Sequence, residues 1–202
     1  MARMNRQPAE SLSAEDLNNP CVFVVDMING FTREGALADP AIAACASPIR
    51  NLLEKTQAKS LFITDCHEQG AAEFNSFPEH CLKGSAESQV MDELSDFVGE
   101  VLEKNCISAA AVPGFTDWLD ALGENRDLVV TGCCTDLCVL QLALPLVSYI
   151  NQMGKSGMRV IIPEDCVDTY HIDGVHDAKF WNETALDLMK ANGVLVVGSI
   201  KA

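Results

Sequence analysis

Six short apolar runs alternating with longer segments of helical period predict a three-layer α/β/α sandwich around a six-stranded, mainly parallel sheet. Three observations carry that expectation. The apolar runs are short and mostly β-branched, as in the strands of a parallel sheet covered on both faces. The segments between them repeat apolar residues at the three- and four-residue spacing of a helix face. The 202 residues are 48% hydrophobic and 21% charged, the balance of one globular domain over 1–202 with enough chain for a packed core and a pocket.

Residues 1–19 are polar and predict a tail. Strands follow at 21–27 (CVFVVDM), 60–65 (SLFITD), 100–105 (EVLEKN), 127–132 (DLVVTG), 159–165 (RVIIPED) and 194–199 (VLVVGS). Helices are expected at about 40–57, 114–123, 136–152 and 175–192, the last burying a stripe of Ala178, Trp181, Ala185 and Leu188. The stretch 66–98 has little periodicity and predicts a long functional loop holding at most one short helix.

Composition excludes several functions. A formal charge of -15, from 29 acidic and 14 basic residues, repels phosphate backbones and anionic lipid surfaces, so neither nucleic acid nor membrane is an expected partner. The longest apolar stretch, 138–150, is shorter than the roughly 20 residues that span a bilayer. The N-terminus lacks the apolar core of a secretory signal, and nine cysteines, an odd number at irregular spacing, suit reduced thiols; both point to a cytoplasmic protein. Gly154, Lys155 and Ser156 resemble the end of a phosphate loop, but Tyr149 stands where its first glycine belongs, and no GxGxxG occurs.

Polar residues at the carboxyl ends of parallel strands carry the chemistry of such folds. Asp26 closes the first strand, Asp65 the second with His67 just after, Lys104 the third, and Cys138 follows the fourth in the turn GCCTDLC. Thr135 and Asp136 are good helix caps, which puts Cys138 in a first turn whose N–H groups and dipole favour a thiolate. Asp26 is then placed to take the thiol proton and Lys104 to hold both charges, with Cys138 and Lys104 expected at strand ends outside the main core. A second group, Asp65, His67, Glu73 and His80, suits a divalent ion, with zinc first and manganese or iron next; Glu68 competes with Glu73. Cys66, between two of these ligands on a strand, should point to the opposite face. Phe31 and Phe77 would flank the pocket and sandwich a flat ring.

The segments VVDMINGF, TDCH, FPEHCLKGS, LEKN and VVTGCCTDLCV resemble the isochorismatase-like cysteine hydrolase superfamily, which includes the nicotinamidases, over about 21–200. The resemblance implies a Rossmann-like, isochorismatase-like hydrolase fold with Cys138 as nucleophile, Asp26 as proton shuttle and Lys104 completing the triad. It also implies a non-proline cis peptide between Cys133 and Cys134, and an oxyanion hole from the backbone N–H groups of Cys134 and Cys138. A glutamate seven residues before the last histidine ligand is Glu73 here. The implied activity is hydrolysis of a small amide through a thioester, with nicotinamide converted to nicotinate and ammonia, in a homo-oligomer, dimer or tetramer. One departure stands out: where nicotinamidases commonly carry D-x-Q-x-D-F, this chain has Ile28 and Gly30 in place of the polar pair. The alternatives are a metal-independent amidohydrolase acting on a carbamoyl or ureido compound, and a non-catalytic metal or thiol protein. Tyr170, His171 and His176 lie after the fifth strand, in a loop that reaches either the pocket or a neighbouring subunit.

Overall fold

The computed structural model describes residues 9–201. Its strands are β1 (Leu12–Ser13), β2 (Cys21–Val25), β3 (Lys59–Asp65), β4 (Glu100–Lys104), β5 (Asp127–Cys133), β6 (Arg159–Pro163), β7 (Val167–Asp168), β8 (Leu195–Val197) and β9 (Ile200–Lys201). The main sheet runs in the order β4-β3-β2-β5-β6-β8, all parallel, and holds the six expected strands; β7 adds a short pairing to the end of β5. The α/β class read from the sequence is therefore the class observed.

Helices α1 (Asn29–Thr32), α2 (Ala46–Thr56), α3 (Phe115–Ala121), α4 (Leu140–Met153) and α5 (Ala178–Ala191) cover the sheet. All five residues of β2 are buried, and alternate ones face opposite layers. Phe23 and Val25 pack with Leu119, Leu142 and Leu186 on one face, while Val22 and Val24 pack with Ile49, Leu52 and Leu53 on the other.

Several expectations change in detail. The region 40–57 is a 3-10 segment, Pro40–Cys45, running into α2, whose Pro48 sits in the first turn where a missing N–H leaves no bond unmade. Pro145 lies inside α4; the carbonyl it frees, that of Gln141, accepts a hydrogen bond from Ser108 Oγ at 2.9 Å, so the helix continues. The stripe expected on the last helix is shifted: Ala185, Leu186 and Met189 are buried, while Trp181 and Leu188 are exposed. Loop 66–98 holds two 3-10 turns, Ala72–Asn75 and Asp92–Phe97.

Of the expected tail, residues 1–8 lie outside the described residues, and the rest is tied down. Leu12 and Ser13 pair with Ile200 and Lys201, and Asn18 N donates to Asp127 Oδ2 at 2.8 Å. Among the described residues, no helix is long and apolar enough to cross a membrane.

Candidate active site

Strand register brings the first three side chains together. Asp65 and Lys104 are direct partners across β3 and β4, so their side chains leave the same face of the sheet. Asp26 follows β2 with a left-handed φ of 50°, a conformation aspartate tolerates better than most residues. Its N–H donates to Ile63 O, and its Oδ1 accepts from Asp65 N, both at 2.8 Å. On the neighbouring strand, Gly132 adopts φ 104°, and a Cβ there would lie 1.9 Å from Val25 O, so only glycine lets β5 pass β2 into the turn that carries Cys138. That turn follows the cis peptide Cys133–Cys134 named in the resemblance.

Lys104 Nζ lies 2.9 Å from Asp26 Oδ2 and 3.6 Å from Cys138 Sγ, and it donates a short hydrogen bond to Asp65 Oδ1. Carboxylate oxygens of Asp26 and Asp65 and the Cys138 sulfur all lie within 4.8 Å of one another. Among the described residues, Asp26 Oδ2 makes no hydrogen bond of good geometry, since the ammonium approaches it off the bonding direction. Asp26 thus keeps an acceptor oxygen in the buried cluster that holds the thiol.

The expectation that Cys138 and Lys104 sit outside the core is not met. Lys104 is 1% exposed, among the largest fully buried side chains, and Cys138 is 7% exposed and part of the core packing. Burial governs the protonation states. It lifts the Asp26 carboxyl to about 6 against the Lys104 charge, with Asp65 adding repulsion. It also opposes ionisation of Asp65, but there the Lys104 charge and its short hydrogen bond prevail and hold the carboxyl well below the usual range. Desolvation works against charge on Lys104 and is outweighed by Asp26, Cys138 and Asp65, which keep the ammonium protonated.

For Cys138, burial pushes the thiol well above its ordinary value despite Lys104. The helix-stabilised thiolate expected from the turn is therefore corrected to a resting thiol beside an ionisable base. The caps expected at Thr135 and Asp136 are absent too. Residues Thr135–Val139 form a single π turn without a side-chain cap, and Thr135 Oγ1 is buried without a partner among the described residues. Asp136 instead accepts from Thr169 Oγ1 at 2.6 Å and faces His176 Nε2 at 2.9 Å.

The second group also converges. Ligand-type atoms of Asp65, His67, Glu73 and His80 all lie within 4.8 Å of one another. The two Nε2 atoms face each other at 3.2 Å, with Asp65 oxygens 3.7 Å from each and Glu73 Oε1 3.9 Å from His67. Outside the cluster, His67 Nδ1 meets Asn105 Oδ1 at 3.0 Å and His80 Nδ1 meets Pro78 O at 2.8 Å. Each outer nitrogen thus donates to an oxygen and turns a ring lone pair inward, the arrangement that orients histidines onto a cation. Two imidazoles and two carboxylates fit zinc, manganese or iron(II).

Glu68 drops out of this group: its side chain is 69% exposed and lies 3.9 Å from Lys83. Cys66 is outside it as well, its thiol near Glu103.

Phe31 and Phe77 both touch His80, with ring centroids 5.7 and 6.4 Å away, and both line a cavity of about 540 Å³ whose wall includes Cys134. Phe74, which the sequence reading passed over, packs edge-on against His67 and His80 at 5.2 and 5.6 Å. Tyr170, His171 and Ile172 also line the cavity. His176 braces that segment: Nδ1 meets Tyr170 O at 2.8 Å, and the Tyr170 ring stacks on the imidazole at 3.9 Å. The clue in the sequence was the polar, aromatic run after a strand end. Ile28 and Gly30, the departures from the nicotinamidase pattern, are not among the residues lining the cavity. Ile28 is wholly buried, and a Cβ on Gly30 would meet Cys81 Sγ at 2.4 Å.

Solved structures with this architecture include N-carbamoylsarcosine amidase from Thermoplasma acidophilum, 26% identical, with a TM-score of 0.69 over 89% of this chain and 95% of that one. Pyrazinamidase of Pyrococcus horikoshii in complex with zinc shares the fold at 21% identity, with a TM-score of 0.72 over 89% and 98%. Nicotinamidase 1 of Arabidopsis thaliana is 25% identical over 155 residues, 64% of this chain, and the match spans 61% of that relative's length. The isochorismatase domain model matches residues 20–197, which covers every strand of the main sheet and both clusters of polar residues; on that match the chain belongs to the isochorismatase family.

Proposed function

We propose that this protein hydrolyses a small amide C–N bond through a thioester on Cys138, with nicotinamide the leading substrate and nicotinate and ammonia the products. The observation that carries this reading is the buried contact of Lys104 Nζ with both Asp26 Oδ2, at 2.9 Å, and Cys138 Sγ, at 3.6 Å. Asp26, with its carboxyl near 6, is ionised at neutral pH and accepts the Cys138 proton. Lys104 keeps the sulfur and carboxylate charges tolerable in a buried site. The sulfur attacks the amide carbonyl, and the backbone N–H groups of Cys134 and Cys138 receive the oxyanion. Asp26 returns its proton to the departing nitrogen, which leaves as ammonia. A water molecule, deprotonated by the same carboxylate, then adds to the thioester; Cys138 leaves as thiol after proton return, and the acid is released.

Asp65, His67, Glu73 and His80 would hold a divalent ion, whose contribution is to orient a ring nitrogen or a water near the carbonyl. Phe31 and Phe77 flank the approach to that position. The zinc-bound pyrazinamidase of the same fold supports the metal reading, and the ring-flanking aromatics support a heteroaromatic amide. The likeness to N-carbamoylsarcosine amidase favours a second reading, in which a carbamoyl compound is cleaved by the same three residues.

Ammonia release across a panel of small amides tests the proposal, with Cys138→Ala as control. Turnover of at least one amide that disappears in Cys138→Ala is the expected result. Equal ammonia from parent and variant would remove the thioester.

A further inference from the structure

We infer that the pocket selects uncharged amides whose apolar skeleton extends beyond a single ring, and that it rejects amides carrying a carboxylate. This rests on the amide-hydrolase reading above and specifies its substrate class. The cavity of about 540 Å³ is of the size that encloses drug-sized ligands, more than a flat ring between Phe31 and Phe77 occupies. Beyond those two phenylalanines, Leu37, Pro40, Leu137 and Ile172 add apolar surface to its wall. A one-ring amide leaves that apolar surface wet; a second apolar group covers it.

Charge decides the rest. Among the described residues lining the cavity there is no lysine or arginine, and the titratable ones are Asp39, His171, Tyr170 and Cys134, none of which is a permanent cation. Asp39 is pinned at the wall by two backbone donors at 2.9 Å, Ala41 N and His171 N. His171 Nε2 is met by Asp173 Oδ1 at 3.0 Å, so any positive charge there is already answered. Arg33, two residues past Phe31, is turned onto Asp92 and Glu93 at 3.0 and 2.5 Å, and Lys104 is engaged by Asp26 and Asp65. A substrate carboxylate carried on the part of the molecule that lies among these lining residues, away from the His67 and His80 cluster, therefore meets no free lysine or arginine, in a protein of net charge -15. The same field acts on the product: hydrolysis turns a neutral amide into a carboxylate plus ammonia, so the acid leaves a pocket that disfavours it.

The test measures kcat/KM for ammonia release with nicotinamide, 5-phenylnicotinamide, a carboxylated 5-phenylnicotinamide and N-carbamoylsarcosine. We expect the phenyl compound to exceed nicotinamide by about tenfold or more, since each well-packed apolar increment is worth roughly 10- to 200-fold. The carboxylated analogue should fall about 100-fold below its neutral parent, and Leu37→Arg should narrow that gap about tenfold. Cys138→Ala, titrated by calorimetry, should bind 5-phenylnicotinamide at least tenfold more tightly than the corresponding acid. Nicotinamide equal to or better than the phenyl compound, or carboxylated amides turned over as well as neutral ones, would overturn this inference while leaving the hydrolase reading in place. No ammonia from any amide, with Cys138→Ala indistinguishable from the parent, would overturn both.

Discussion

The thiol side of the site and its histidine side share Asp65, yet the chain builds them by different means. Asp26 and Lys104 come from the carboxyl ends of β2 and β4, on either side of β3, and Cys138 from the turn just past β5, so the parallel sheet brings them to one edge, and none is more than 7% exposed. His67, Glu73 and His80 come from loop 66–98, where the 3-10 turn Ala72–Asn75, the Phe74 ring and the acceptors Asn105 and Pro78 hold them. Charges on the thiol side are locked to each other inside the core. On the histidine side the donors surround a space that a cation can fill. Substitutions on the first side should therefore disturb chemistry and stability together, and those on the second should disturb ion binding while sparing the thiol.

The largest expected effect is that of Cys138→Ala, a loss of about 10³-fold or more in kcat. Divalent-ion content, measured by atomic emission on the same preparation, should stay at the parental value because no ligand is touched. Lys104→Met follows, with turnover lost and stability lowered as well. Removing the ammonium leaves Asp26 and Asp65 facing each other in the core, a change that costs about 3–5 kcal/mol when a buried charge loses its partner. Urea melts check it; a parental midpoint would mean the carboxylates find another cation.

Asp26→Asn separates chemistry from stability. The folded carboxyl sits near 6, above its ordinary 3.8, so the fold prefers the protonated form and loses stability as pH rises from about 4 to 6. Asparagine does not ionise, so the variant should gain stability relative to the parent above pH 6 while losing nearly all turnover. In the parent, kcat/KM should rise with pH through about 6 as the base ionises. A variant less stable than the parent at pH 7.5 but not at pH 4.5 would reverse the assignment.

What the sequence revealed follows the same division. Asp26, Asp65, Lys104 and Cys138 were legible because parallel strands place their carboxyl ends on one edge, and apolar runs mark where strands stop. Their burial was not. A lysine reads as a surface residue until its two carboxylate partners are seen, and the thiolate expected at Cys138 gave way to a thiol once desolvation outweighed the Lys104 charge. Spacing identified Asp65, His67 and His80, but the choice between Glu73 and Glu68 depended on how the loop folds, which has no period to read. The Asp136, Thr169 and His176 contacts join segments distant in the chain, so no local pattern announced them.

On the histidine side, His67→Ala or His80→Ala should release the ion and raise KM for a ring amide about tenfold or more, in line with the loss of a ligand or of its orienting contact. Alkylation of Cys138 should proceed at the parental rate, because Asp26 and Lys104 are untouched. Cys66→Ser should leave ion content unchanged. Slower alkylation in His80→Ala would show that Asp65 transmits the loss to Lys104, and the two sides would then have to be treated as one.

The smallest effect distinguishes two glutamates five residues apart. Glu73 Oε1 lies 3.9 Å from His67 Nε2 with its side chain 12% exposed, while the Glu68 side chain is 69% exposed and loosely paired with Lys83. A carboxylate in the cluster offsets the charge of a bound cation; one in solvent is screened before its field reaches the cluster. Glu73→Gln should therefore weaken zinc binding about tenfold or more in a competition titration with a chromogenic chelator, and Glu68→Gln should leave it and the melting temperature unchanged. The amide keeps the shape of each side chain, so the contrast reports charge and donor strength rather than packing. If Glu68→Gln weakened zinc and Glu73→Gln did not, the loop would have to reorganise on binding, and the histidine side would owe its ligand set to the ion rather than to the fold.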